Sequence, residues 1–181
     1  MGLKPTPIEG LFVFEPAVHI DDRGYFFESF REDIIREAGF EFPFIQDNEA
    51  SSTFGVLRGL HYQYGDAAQA KIVRVSQGEV LDVVVDIRPG SSTYGEHYAI
   101  QLSQENKLQL LIPRGFAHGY IVLSKRAVFQ YKCDNYYDRN MEGGLMYNDP
   151  KLDIDWLLPE KELILSEKDK KWPSFGNHQW Q

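Results

Sequence analysis

VLRGLHYQYGDAAQAKIVRV, residues 56–75, is the stretch on which the reading of the whole chain turns. Two runs of alternating character flank a polar loop, the pattern of two β-strands and their connection. Neighbouring side chains along a strand leave opposite faces. Strict alternation therefore puts Leu57, Gly59, His61 and Gln63 on one face of the first strand, and Lys71, Val73 and Val75 on one face of the second. A lysine pointing the same way as two valines, with a histidine directed into an apolar space, is what base-plus-cation chemistry requires. The plain alternative is a core histidine with satisfied nitrogens, and a lysine whose stem covers apolar surface while its charge reaches water.

Working outward, short strand patterns recur at intervals of roughly 8–12 residues with turn signals between them, the spacing of a sandwich or barrel. LFVFEPAVHI (11–20) reads as short strands broken at Pro16, and DDRG (21–24) as a turn. YFFESF (25–30) reads as a strand with Phe26, Glu28 and Phe30 on one face, and FIQDNEASST (44–53) as another. REDIIREAG (31–39) is the one convincing helix, about two turns long and ending at Gly39. Downstream, LDVVVDIR (81–88) alternates with Leu81, Val83, Val85 and Ile87 inward. EHYAIQLS, LQLLIP, GYIVLS and AVFQYKC are further strands, RGFAHG (114–119) is a glycine-bounded turn, and Ser166 is placed to cap a short helical turn in the tail. No repeat, low-complexity segment or linker interrupts the pattern. The expectation is a single all-β domain over residues 1–181, an antiparallel jelly roll with short C-terminal helical elements.

The 181 residues carry a formal net charge of -8, which argues against a nucleic-acid partner or an anionic membrane surface. An anionic ligand would need a local cluster of arginine and lysine. The single cysteine, Cys133, rules out an intrachain disulfide and points to a reducing, cytoplasmic setting. MGLKPTPIEG has no apolar core of a signal peptide; MGLKPT fits the loose myristoylation pattern, but Pro5 and Pro7 make that match read as chance. No apolar run approaches the length of a membrane span.

Two spacings resemble the motifs of cupin jelly rolls: Gly55 followed six residues later by His61, and Pro113, Gly115 and His118 in the order PxGxxH. Metal-binding cupins use an HxH pair, a glutamate and the later histidine. Here Gln63 replaces the second histidine, the glutamate is missing at the expected distance, and Lys71 lies nearby. A cation repels a divalent metal, and two histidines fall short of the three protein ligands that zinc uses. The expectation is a scaffold that has lost its metal site, with no metal and no cofactor. Histidine then serves as a base near neutral pH. Lysine stabilises the oxyanion that forms when a carbon beside a carbonyl loses its proton. Tyr131, sharing a face with Phe129 and Cys133, is a candidate to return a proton from the other side. His61 needs a carboxylate to fix its tautomer, and Asp169, in SEKDKK, is one of several acids that could serve.

DDRGYFFESF, QDNEASS, VLRGLHYQ, AKIVRV, GEVLDVVVDIR, IPRGFAHGY, YKCDNYY and LSEKDKKWP resemble the dTDP-4-dehydrorhamnose 3,5-epimerase family, in the family's order and over nearly the whole chain. The resemblance implies a metal-free, cupin-like homodimer, in which the partner's N-terminal strand completes the nucleotide site. It implies epimerisation at C3 and C5 of dTDP-4-dehydro-6-deoxy-D-glucose, a dTDP-linked 4-keto-6-deoxy sugar, on the route to dTDP-L-rhamnose. By the same resemblance His61 is the base, Asp169 orients it, Lys71 stabilises the enolate and Tyr131 is the acid. Arg23 and Arg58 resemble diphosphate-binding arginines, and His118 a further phosphate-side contact. Phe26 and Glu28 resemble residues that stack on and hydrogen-bond the thymine, Gln46 and Asn48 polar nucleotide contacts, and Tyr137 a second stacking aromatic. Guanidinium forks suit a diphosphate held by a chain whose overall charge repels it. One departure is the loop YGDAAQ (64–69), which lacks the proline that family members often have there. Two other readings stay open: an enzyme that inverts only C3 or C5 or moves the keto group, and a non-catalytic carbohydrate-binding jelly roll, which would need no inward lysine, histidine and tyrosine.

Overall fold

In the computed structural model, which describes residues 2–41 and 43–180, two antiparallel sheets face each other. One joins, in spatial order, β1 (Gly2–Pro5), β2 (Phe12–Glu15), β10 (Gln109–Ile112), β7 (Lys71–Gln77), β12 (Arg126–Cys133) and β5 (Gln46–Thr53). The other joins β13 (Glu142–Gly144), β6 (Leu57–Gln63), β11 (Phe116–Val122), β8 (Glu79–Asp86) and β9 (His97–Ser103). The two strands of the central stretch, β6 and β7, thus enter different sheets, as the expected jelly roll requires. β3 (His19–Asp21) and β4 (Gly24–Phe26) form a separate hairpin.

Between the sheets lie Val73 and Val75 of β7, Val80 and Val84 of β8, Leu110 and Ile112 of β10, Phe116, Tyr120 and Val122 of β11, and Phe129 of β12. Each large side chain removed from water here contributes roughly 1.5–3 kcal/mol. β8 departs from the expected orientation. Leu81, Val83, Val85 and Ile87 turn away from this interior and join Leu57, Leu60, Tyr62, Ala117, Ile121, Leu145, Leu152 and Trp156 in a second cluster. The C-terminal segment therefore covers the outside of the five-stranded sheet. β8 is buried on both faces, which is why its sequence is a near-continuous valine run rather than an alternation with polar residues.

The helix α1 (Glu32–Glu37) is shorter than expected. It buries Ile35 against Ile72 and Leu111 on the outside of the six-stranded sheet, and it stops where Gly39 takes φ +88°. YFFESF is a strand only as far as Phe26. Among the described residues no further strand pairs with the hairpin, and Ile20, Tyr25 and Phe26 stay exposed. Phe30 instead turns to meet Phe44, ring centroids 6.0 Å apart. RGFAHG is likewise strand rather than turn from Phe116 onward, so His118 sits inside β11.

A register shift decides what β6 shows to the interior. Leu57 pairs with Ile121 and Arg58 with Tyr120, but His61 pairs with His118. β6 advances three residues while β11 advances two, a bulge that reverses the alternation. Leu57, Leu60 and Tyr62 consequently face the outer cluster, and Arg58, His61 and Gln63 face the interior, not the shared face expected of Leu57, Gly59, His61 and Gln63. The bulge needs glycine: Gly59 has φ +136°, and a Cβ there would come within 2.5 Å of the Gly119 Cα.

Candidate active site

His61 enters the interior beside His118, its register partner. Its Nε2 lies 2.5 Å from Asp169 Oδ1. Asp169 is only 4 % exposed and opens a 3-10 turn, Asp169–Lys171, at the edge of β6. Lys168, not the expected Ser166, is the N-cap of that turn, while Ser166 Oγ accepts the Asp169 backbone N–H at 3.1 Å. Trp172 Nε1 also donates to Asp169 Oδ1, at 3.3 Å. Burial pushes the Asp169 carboxyl up, but the His61 hydrogen bond and charge, with the Ser166 and Trp172 bonds, outweigh it and hold the group below its usual value. Asp169 therefore stays ionised and anchors one imidazole nitrogen, leaving the other free to act.

A second histidine–carboxylate pair stands alongside. His118 Nε2 is 2.8 Å from Asp82 Oδ2, and its ring stacks on Phe129 at 6.0 Å. Asp82 is fully buried, and its Oδ1 has no hydrogen-bond partner.

The opposite wall belongs to the six-stranded sheet. There Lys71 pairs with Cys133 and Val73 with Tyr131, so Lys71 and Tyr131 project into the interior as expected. Lys71 Nζ lies 6.0 Å from the Tyr131 ring centroid. Burial lowers the Lys71 ammonium, and the neighbouring Cys133, Asp82 and Glu142 offset only part of that. The Tyr131 phenol is pushed up to about 12, by burial first and then by Cys133 and Tyr120, against the Arg58 charge. Tyr131 is therefore a neutral hydroxyl at any physiological pH, and burial disfavours the charged form of Lys71, which an anionic partner would restore.

Around this centre, Arg58 Nε donates to Ser52 Oγ at 3.2 Å. Gln46 Nε2 donates to Asn48 Oδ1 at 3.1 Å, and Gln46 Oε1 accepts the Tyr137 backbone N–H at 3.1 Å. The half-exposed Tyr137 gives its hydroxyl proton to Glu142 Oε2 at 3.0 Å, and Lys168 Nζ lies 2.5 Å from Glu142 Oε1. Gln63 turns its Oε1 to the Asp138 backbone N–H at 2.8 Å. Glu142 and Lys168 escaped the sequence reading: Glu142 lies in the RNMEGG stretch between assigned elements, and Lys168 is one lysine among three in SEKDKK. Arg23, Phe26 and Glu28 are not brought to this centre within the chain. Arg23 pairs with Asp21 at 2.5 Å, Glu28 with Arg31 at 3.7 Å, and Phe26 is 66 % exposed. Among the described residues, no helix is long and apolar enough to cross a membrane.

Residues 5–177 match the family described as dTDP-4-dehydrorhamnose 3,5-epimerase. A dTDP-4-dehydrorhamnose 3,5-epimerase from Methanothermobacter thermautotrophicus is 47% identical over 168 residues, covering 92% of this chain and 90% of that protein. The crystal structure of such an epimerase from Elizabethkingia anophelis superposes with a TM-score of 0.93 at 51% identity, over 97% of this chain and 96% of that one. The enzyme from Legionella pneumophila, solved in complex with dTDP-4-keto-L-rhamnose, gives a TM-score of 0.91 at 46% identity, over 96% of this chain and 92% of that one.

Proposed function

The chain belongs to the dTDP-4-dehydrorhamnose 3,5-epimerase family, and from that premise we propose how its own residues carry the reaction. The activity is that of an isomerase: inversion at C3 and C5 of dTDP-4-dehydro-6-deoxy-D-glucose, giving dTDP-4-dehydro-L-rhamnose. Both carbons flank the C4 carbonyl, so loss of either proton leaves an enolate with its charge on the same oxygen.

His61, held by Asp169, takes the proton, and the C–H electron pair moves into the enolate. Lys71 stabilises the enolate oxygen. Tyr131 delivers its hydroxyl proton to the opposite face of the carbon, and proton exchange with water resets the phenolate and the imidazolium. One observation carries this assignment: His61 stands on one sheet and Tyr131 on the other, with Lys71 beside Tyr131. A planar enolate between the walls meets a base on one face and an acid on the other, which inversion demands. The second carbon is handled by the same set after the sugar turns in the site.

Arg58, His118, Gln46, Asn48 and Tyr137 line the approach and bind the nucleotide diphosphate, with Arg58 supplying the guanidinium. Arg23, Phe26 and Glu28 act in the partner subunit's site of a homodimer. The exposed β3–β4 hairpin supports that reading, because Ile20 and Phe26 are largely exposed within the chain, and Tyr25 stays more than half exposed although Phe27 and Lys107 pack on its ring. The lone buried cysteine fits a cytoplasmic protein.

Proton NMR of the 4-keto sugar nucleotide in D₂O tests the base. The His61→Asn variant is expected to lose deuterium incorporation at both carbons by at least ~10²-fold, the low end for a general base. Exchange persisting at either carbon would mean a second base and would overturn the single-base assignment.

A further inference from the structure

The His61–Asp169 pair has a third member that the reading above leaves idle. Trp172 Nε1 lies 3.3 Å from Asp169 Oδ1, the same oxygen that His61 Nε2 approaches to 2.5 Å. The indole also meets the imidazole edge-on, with centroids 5.9 Å apart and planes at 68°. Its seat is prepared by the edge strand. Gly144 of β13 pairs with His61, and any Cβ at Gly144 would overlap the indole. The vacancy of a side chain beside the base is thus filled by a ring from the tail. Lys168 Nζ, 5.5 Å from the same ring centroid, is tied to Glu142 at 2.5 Å and leaves Asp169 to the indole.

We propose that Trp172 is a positioning residue for the reaction, holding the Asp169 carboxylate and the His61 ring in line while drawing off part of the carboxylate's hydrogen-bonding capacity. The inference rests on His61 being the base. One carboxylate oxygen shared between two donors binds each less strongly than it would bind one alone. Without the indole N–H, the imidazolium becomes the main donor to Oδ1, and the protonated ring is held more tightly. A base trapped in its protonated form is lost to the reaction. The indole therefore keeps the carboxylate from trapping the ring that has to take the proton. The other ionisable groups around this pair are His118 with Asp82 on the neighbouring strands, Lys71 and Tyr131 on the opposite sheet, Glu142 and Lys168 at the edge, and Arg58 on β6 itself. None of these shares the Asp169 oxygen.

The test uses Trp172→Phe in the full chain, which keeps an aromatic ring over Gly144 and removes the N–H donor together with the indole's second ring. The acid limb of the kcat/KM profile is expected to move up by about half to one pH unit, because the carboxylate freed of one donor holds the imidazolium more tightly. Rates on that limb then fall about 3–10-fold. A limb that stays in place overturns the proposal whatever happens to the plateau, because a purely structural role lowers the rate at every pH. A second readout needs no turnover. The indole N–H resonance of Trp172, assigned by its loss in the variant or by elimination with Trp156→Phe and Trp180→Phe, is expected to titrate with the acid limb and to stop titrating in His61→Asn. An indole that ignores pH overturns the proposal even if Trp172→Phe does not fold. Failure of the base assignment would show separately, as proton exchange surviving in His61→Asn.

Discussion

Tyr131→Phe separates deprotonation from inversion. The substitution keeps the ring, and with it the packing against Phe129 at 6.1 Å and beneath Lys71 at 6.0 Å. It removes one hydroxyl, so folding stability is expected to change by no more than about 1 kcal/mol, the scale of one net hydrogen bond. The chemistry should change far more. The phenol is pushed up to about 12, so it holds its proton throughout the working range and yields it only to a strong base such as a developing carbanion. A positioned acid contributes ~10²–10⁴ in rate, and inversion should fall by that factor, chiefly at C5. His61 is untouched, so it should continue to remove protons and return deuterons from its own side. In D₂O the variant is expected to label the sugar while largely retaining its configuration, which NMR of the product resolves directly. Because the phenol titrates so high, the parent enzyme should also show no basic limb from Tyr131 below pH ~11. Doubly inverted product at the parent rate would refute the reasoning and leave Tyr131 as a wall of the site.

Lys71→Met should leave nucleotide binding close to normal and lower kcat by about 10²–10³, the cost of losing one preorganised oxyanion donor; an unchanged kcat would remove Lys71 from the mechanism. Asp86 provides a stability test remote from the chemistry. Burial alone would raise its carboxyl, but bonds from Arg88, Ser91 and Thr93 bring it down to about 2 from 3.8. Its folded value lies below its unfolded one, so its contribution is complete above pH ~4 and is lost as pH falls through ~2. Asp86→Asn should cost about 2 kcal/mol in urea melts at pH 7 and progressively less toward pH 2; a gap independent of pH would contradict this. Light scattering should give about twice the 20.9 kDa chain mass, and Phe26→Asp on the exposed hairpin should weaken both the dimer and nucleotide binding; a fully active monomer would end the shared-site reading.

Much of this was legible in the sequence, and the failures have physical causes. Alternation placed Lys71 and Tyr131 correctly because β7 and β12 pair without interruption between Val73 and Cys133 of those strands. It failed on β6, where His61 was assigned with the wrong companions on its face. A bulge is a cross-strand event, and its only local trace is a pair of glycines, Gly59 and Gly119, sixty residues apart in the chain. It failed on β8 too, because a valine run buried on both faces has no phase to read. Asp169 could be nominated only by resemblance, since 108 residues separate it from His61 and several other acids were equally available. Arg23, Phe26 and Glu28 were legible as types, but no contact within one chain brings them to the centre.

The two glycines of β13 show how closely the fold and the chemistry are joined. β13 is a three-residue edge strand, EGG, paired with β6. Its alternation sends Gly143 to the outer face, where a Cβ would strike the Tyr62 ring, and Gly144 to the inner face, where it would strike Trp172. A strand that carried side chains here would be a better strand, since glycine weakens strand interiors. Bare backbone instead lets the tail close over the edge from both sides. On the outside it lets Tyr62 reach the Gln179 carbonyl and the apolar cluster under the C-terminal segment. On the inside it admits the turn that carries Asp169 and Trp172. The carboxylate proposed to orient His61 therefore arrives only when the tail is docked. On the proposed mechanism, apolar residues of the outer cluster, such as Leu145 and Trp156, would support the base without approaching the substrate. On that mechanism, undocking the tail would leave His61 without its Asp169 anchor.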